Sequence, residues 1–333
     1  MSSSSTAAIL DVITQQLTIY AGVLIYSSGC FGNCINIIMF GRRTLRSSPS
    51  SWYLGASCVV NLLYLQSFLI NRVLPVGFQV DYSRLSTSWC KFRIYYGLVL
   101  AITSPTLVCI AVVDRYLLSC RNANLRAYSS LKIAKFVIPI VIAFWMLENI
   151  PALIFYNFNA SSVCTYNRPE YTNYTSYVLA PILYGLAPIL ITSIFGLLTY
   201  KNMRQQIAPS SSRERRDAQI SSMIMLQIVL IVISTFPAMI RNIYVGITLN
   251  NQKGPSQLMW ENFFGQIVYI PWYLNYSSSF YVYIISSVVY RKQVKKLLMK
   301  YLLCGRFSDN QMLTTTKGSQ TQDASVQLKR TYG

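Results

Sequence analysis

Seven stretches of this chain are long, apolar and nearly free of charge, and that pattern leaves few folds open. Residues 17–40, 47–71, 94–113, 177–200, 218–240 and 262–290 contain no Asp, Glu, Lys or Arg, and residues 136–158 contain only Glu148. A helix needs about 20 residues to cross a hydrocarbon core of ~30 Å, and each stretch is long enough. The alternation that a membrane barrel strand requires is absent from all of them. The expectation is an all-α membrane protein, a seven-transmembrane helix bundle. The last span, with "YLNYSSSFYVYIISS", is the most polar.

Charge sets the orientation. The chain carries 29 basic and 10 acidic residues, a net +19. Such a balance can mark a nucleic-acid binder. Here, however, the cations sit in short clusters between the spans, so the expected partner is a lipid bilayer and no nucleic acid. Segments 41–51, 114–135, 201–217 and 291–333 hold 22 of the basic residues, against 7 on the opposite side. Basic loops stay in the cytoplasm, which places residues 1–16 outside. The helical core then spans 17–290, multi-pass, in the plasma membrane. No basic stretch precedes the first span, so that span is expected to act as its own insertion signal. "RKQVKKLLMKYLLC" reads as a basic amphipathic helix, 291–304, on the inner leaflet, with Cys304 a candidate for palmitoylation. The polar tail 305–333 is expected to lack fixed structure.

The composition also removes whole classes of function. The chain has no His, the commonest metal ligand and general base. No pair of acids lies inside the spans, so an enzyme is not expected, and neither is a metal or cofactor. Cys30, Cys34, Cys58 and Cys109 are scattered among the spans and read as packing residues. A transporter or channel would line a path with charge, yet only Glu148 lies deep. No inverted internal copy is visible.

One short segment raises a sharper question. In "CIAVVDRYLLSC" the inner end of the third span carries Asp114, Arg115 and Tyr116 together. Alone, such a group is as readily a helix stop as a switch. Cys90 lies 24 residues upstream at the outer end, and Cys164 sits in the second outer loop. Both face an oxidising compartment, where a disulfide is open to them.

With Gly32 and Asn33 in span one and Pro188, Pro237 and Tyr283 in spans five to seven, this combination resembles the rhodopsin-like G-protein-coupled receptors over about residues 20–304. The resemblance implies a Cys90–Cys164 disulfide and an activation switch made of Asp114, Arg115, Tyr116, Asp217 and Tyr283. Asp217 lies 20 residues before Pro237, where the family often has an acid; a solvated charge within "SRERRDAQ" is the other reading. Gly32, Asn33, Asn61, Pro188 and Pro237 would serve helix packing. An extracellular ligand would favour a state in which span six swings outward about Pro237 and admits a heterotrimeric G protein. Arrestin and a receptor kinase are further partners that the resemblance implies.

Several positions depart from the family pattern. Asn61 stands where span two usually carries a sodium-binding Asp. Thr235 replaces the span-six Trp, with Phe236 as an aromatic substitute. The span-seven motif keeps only Tyr283, and Gly196 stands where span five usually offers a Tyr to the freed arginine. These departures are similar to those of divergent invertebrate receptors, and "LNYSSSFYVY" is loosely similar to the same stretch of their neuropeptide members.

The ligand is approached by exclusion. Gly97 occupies the place of an amine counter-ion, and no Lys between 254 and 291 could hold retinal. Near the outer mouth lie Arg72, Arg93, Tyr95, Tyr96, Glu148, Arg241, Tyr244, Glu261, Tyr269 and Tyr273. Of these, Arg93, Tyr96, Arg241, Tyr244, Glu261, Tyr269 and Tyr273 are the binding candidates. Tyr with Arg and Glu suits a peptide; a chemosensory receptor for small molecules is the alternative. Arg241 reads equally as a snorkelling side chain. Glu148 reads better as a protonated carboxyl bonded to a neighbouring helix. Asn159 and Asn173 begin glycosylation sequons of the second outer loop, while a third at Asn275 falls inside span seven and should be silent.

Overall fold

The computed structural model describes residues 3–80, 86–158, 164–166, 168–204, 212–248 and 251–302. The chain divides after Val288 into two compact units. The first is a bundle of seven helical spans. We label them α1 (Ser3–Gly41), α2 (Pro49–Phe78), α3 (Thr87–Ser119), α4 (Leu131–Phe155), α5 (Pro169–Arg204), α6 (Ser212–Ile247) and α7 (Pro255–Ser277). A bend at Ser278 carries the seventh span on into α8 (Ser279–Ser286). The first six are long and apolar enough to cross a membrane; the Ser- and Tyr-rich seventh is the more polar one, as its sequence implies.

Local chemistry explains where the helices begin. Pro49 occupies the first turn of α2, where its missing N–H is harmless. Ser86 caps α3 by accepting from the Trp89 N–H at 3.1 Å, and Ser130 caps α4 by accepting from Ile133 at 3.3 Å. α1 starts well before the expected span, at Ser3, because nothing among residues 3–21 breaks a helix: the first Gly is Gly22 and no Pro precedes it. α5 likewise starts inside the expected outer loop. Both α2, at Leu65–Leu69, and α5, at Tyr174–Leu186, contain π-helical stretches.

α3 is the centre of the bundle. From Val99 to Val112 nearly every side chain is buried, and many are small: Ala101, Thr103, Ser104 and Ala111. Lipid provides little hydrophobic force between helices, so close backbone approach and interhelical hydrogen bonds hold them. Gly32 shows such an approach, since a Cβ there would lie 2.8 Å from that of Phe280. Asn33 donates to the carbonyls of Gly29 and Tyr276, each at 2.9 Å, and Asn36 donates to Ser279 at 3.0 Å. Asn61 accepts from Ser104, joining α2 to α3. α4 is peripheral. It turns Phe136, Ile140, Phe144 and Leu147 outward, and α6 does the same with Ile233 and Ile240; in lipid this is the buried state of an apolar side chain.

A short antiparallel hairpin, β1 (Tyr156–Phe158) and β2 (Cys164–Tyr166), pairs Phe158 with Cys164. A disulfide joins Cys164 to Cys90 near the outer end of α3, pinning the hairpin to the bundle. The second unit contains all but the first residue of α9 (Val288–Leu302). Its sequence places Arg291, Lys292, Lys295, Lys296 and Lys300 among Val294, Leu297 and Leu298, an amphipathic pattern. Cys304 and the tail 305–333 lie outside the described residues.

Candidate functional site

At the cytoplasmic end, Arg115 is 2% exposed and surrounded by oxygen. Its Nη1 lies 3.6 Å from Asp217 Oδ1 on α6, and its Nη2 lies 3.9 Å from Asp114 Oδ2. Its Nε donates to Ser50 Oγ at 2.6 Å, and Nη2 donates to Ser48 Oγ. Ser50 and Ser129 in turn donate to the two oxygens of Asp114. A guanidinium taken out of water is held only if its donors are satisfied and its charge is met. Two carboxylates and two hydroxyls do this here. The arrangement links the base of α3 to α2, to the loop before α4 and to α6.

The sequence pointed to the two acids but not to the serines. Ser48 and Ser50 flank Pro49 in "RSSPSSW", where they read as helix-start residues. Only the packing of α2 on α3 brings them to Arg115. Tyr116 turns away and meets Phe195 of α5 edge-on, with centroids 5.3 Å apart. Next to Phe195, Gly196 is packed so closely that a Cβ would lie 2.7 Å from Ile228 Cδ1 on α6. Tyr283 is buried and meets Phe40 edge-on at 5.6 Å.

Midway through the bundle, Thr235 is buried and Phe236 is 48% exposed. Phe236 therefore does not replace the missing span-six aromatic. Neighbours on a helix point about 100° apart, and here it is Thr235 that faces inward. Trp272 of α7 supplies the aromatic bulk, donating from Nε1 to the Tyr64 hydroxyl at 3.2 Å and lying 6.4 Å from the Tyr184 ring and 6.0 Å from that of Tyr276. Tyr276 donates to the Ala101 carbonyl at 2.8 Å. Pro188 is buried on α5 and Pro237 lies within α6.

The outer candidates fall into separate groups. Arg72, Arg241, Tyr269 and Tyr273 come together: Arg72 lies 4.2 Å from the Tyr269 ring centre and Arg241 5.7 Å. Arg93 is half-buried on α3. Arg241 is half-buried and packed against α7, since a Cβ at Gly265 would lie 2.8 Å from its Nε. Tyr96 lies apart, stacked on Phe92 at 5.7 Å. Tyr244 and Glu261 belong to a third group that closes the α6–α7 loop. There Glu261 accepts from Lys253 at 2.6 Å, Tyr244 at 2.8 Å and Gln257 at 2.9 Å. Glu148 accepts from the Tyr174 hydroxyl of α5, the interhelical contact expected of it.

Of the sequons, Asn159 lies outside the described residues, Asn173 is exposed at the outer start of α5, and Asn275 is buried in α7. A comparison with curated proteins finds no significant match. A family model described as 7 transmembrane receptor (rhodopsin family) matches residues 32–281.

Proposed function

Because the chain belongs to the rhodopsin family of seven-transmembrane receptors, a family of signalling receptors rather than enzymes, we propose that it sits in the plasma membrane, binds an extracellular ligand, in our reading a peptide, and activates a heterotrimeric G protein. Ligand binding shifts the population toward a state in which α6 moves outward about Pro237 and opens a cytoplasmic cavity. The observation that carries this reading is the Arg115–Asp217 pair at 3.6 Å. It ties α3 to the cytoplasmic end of α6, the helix that has to leave. The peptide reading rests on the Tyr- and Arg-rich outer mouth, a surface that offers apolar area with polar tips.

Asp217→Asn tests the switch. The substitution keeps the shape and removes the charge. Asp217 is about one-third exposed, so the attraction is worth about 1 kcal/mol after screening, and losing it shifts the resting equilibrium roughly fivefold. Ligand-free nucleotide exchange on G protein in membranes should rise by that order. No rise at matched surface expression removes the lock.

A further inference from the structure

Two cations from two helices meet on one aromatic ring near the outer end of the bundle, and two glutamates of the same region are engaged elsewhere. Arg72 comes from α2 and Arg241 from α6, both half-buried. Glu148 is held by Tyr174, and Glu261 by Lys253, Tyr244 and Gln257. Among the described residues, no carboxylate lies within 4.0 Å of Arg72 or Arg241. Arg72 donates to the neutral Gln266, and both arginines rest on the ring of Tyr269. Cation–π contact contributes only about 0.5–2 kcal/mol and leaves most guanidinium donors unused. Charge partly removed from water, without a counter-charge, invites an anion.

Resting on the receptor reading above, we propose that this site takes an organic anion whose carboxylate sits between Arg72 and Arg241 against Tyr269. The fork of a guanidinium matches a carboxylate with two parallel N–H···O bonds. Tyr269, which is half-buried, offers an aromatic face for the rest of the ligand. A peptide would present its free C-terminus or an acidic side chain here. An amine would find no carboxylate at position 97, a glycine packed under Phe68.

The test uses the full-length receptor purified in detergent and its thermal unfolding at constant ionic strength. The probes are N-acetylphenylalanine, its amide, phenylacetate and phenethylamine, each at millimolar concentration. The two acids should raise the Tm by about 2–4 °C, and the amide and amine should not. A larger rise with N-acetylphenylalanine than with phenylacetate assigns the carboxylate to a peptide terminus; equal rises assign it to a small organic acid. Arg72→Gln with Arg241→Gln should abolish the acid effect, and the corresponding Lys pair should keep part of it. Equal stabilisation by acid and amide overturns the proposal, as does an acid effect that survives the Gln pair. If the Gln pair does not fold, the acid–amide comparison in the unaltered chain and in the Lys pair still decides. The Asp217→Asn measurement stands apart, so a receptor that signals but ignores anions is distinguishable from a chain that is no receptor.

Discussion

Glu261 lies in the second turn of α7, just before the uncharged stretch 262–290, and fastens the loop between α6 and α7. Hydrogen bonding from Lys253, with further donors from Tyr244 and Gln257, holds its carboxyl below the usual carboxylate range. A depressed folded-state pKa contributes stability above the unfolded value, and that contribution is lost as pH falls through the folded one. Glu261→Gln should therefore lower the Tm near neutral pH, and the difference from the unaltered chain should shrink as pH drops below about 4. A difference that persists unchanged in acid would show that the charge is not what holds the loop. Residues also set the limit of what the sequence discloses. Asp114 and Arg115 are rare charges at the end of an apolar run, while Asp217 stands out from the charges of "SRERRDAQ" only by its distance from Pro237 in the family pattern. Ser48, Ser50 and Ser129 are common, neutral and locally unremarkable, and only tertiary packing makes them partners of a buried cation.

At the scale of the element, hydrophobic runs disclosed the helices, but their local winding and phase were less visible. The π-helical stretch Leu65–Leu69 has no Gly or Pro to announce it. It presents Phe68 directly over Gly97, where a Cβ would lie 2.1 Å from the ring. Gly97→Ala should therefore destabilise by about 1–3 kcal/mol through overpacking. Adding Phe68→Leu should recover much of the loss, because the two changes share one contact. Thermal unfolding of the two single variants and the double variant measures this; additive losses would mean that the pair is not coupled. The inward turn of Thr235 rather than Phe236 was hidden for a related reason. Adjacent residues differ by one step of helical phase, and in a span that is apolar on every side the sequence gives that phase no marker.

Across the whole molecule, the hairpin is the main connection that depends on a covalent bond. Cys90 and Cys164 are separated by 74 residues and join the second outer loop to α3. Closing a loop of that length is worth about 2–5 kcal/mol, and Cys90→Ser should lower both Tm and surface expression. Unchanged stability under non-reducing conditions would contradict that role. The pairing was legible because two outward-facing cysteines stood in the right compartment. The convergence of Arg72 and Arg241 on Tyr269 was not, since they come from distant parts of the chain.

Gly196 gives this assembly an asymmetry in time. At rest, the Arg115 guanidinium is bonded to hydroxyls of Ser48 and Ser50 and flanked by two carboxylates. In the activation proposed above, α5 would offer no hydroxyl at position 196 to receive it once α6 departs. The outward conformation would then decay quickly unless something entering from the cytoplasm held it open. Output should consequently scale with the supply of transducer as much as with the dose of agonist, so the cell that expresses this chain, and not the bundle alone, sets how long each stimulus lasts.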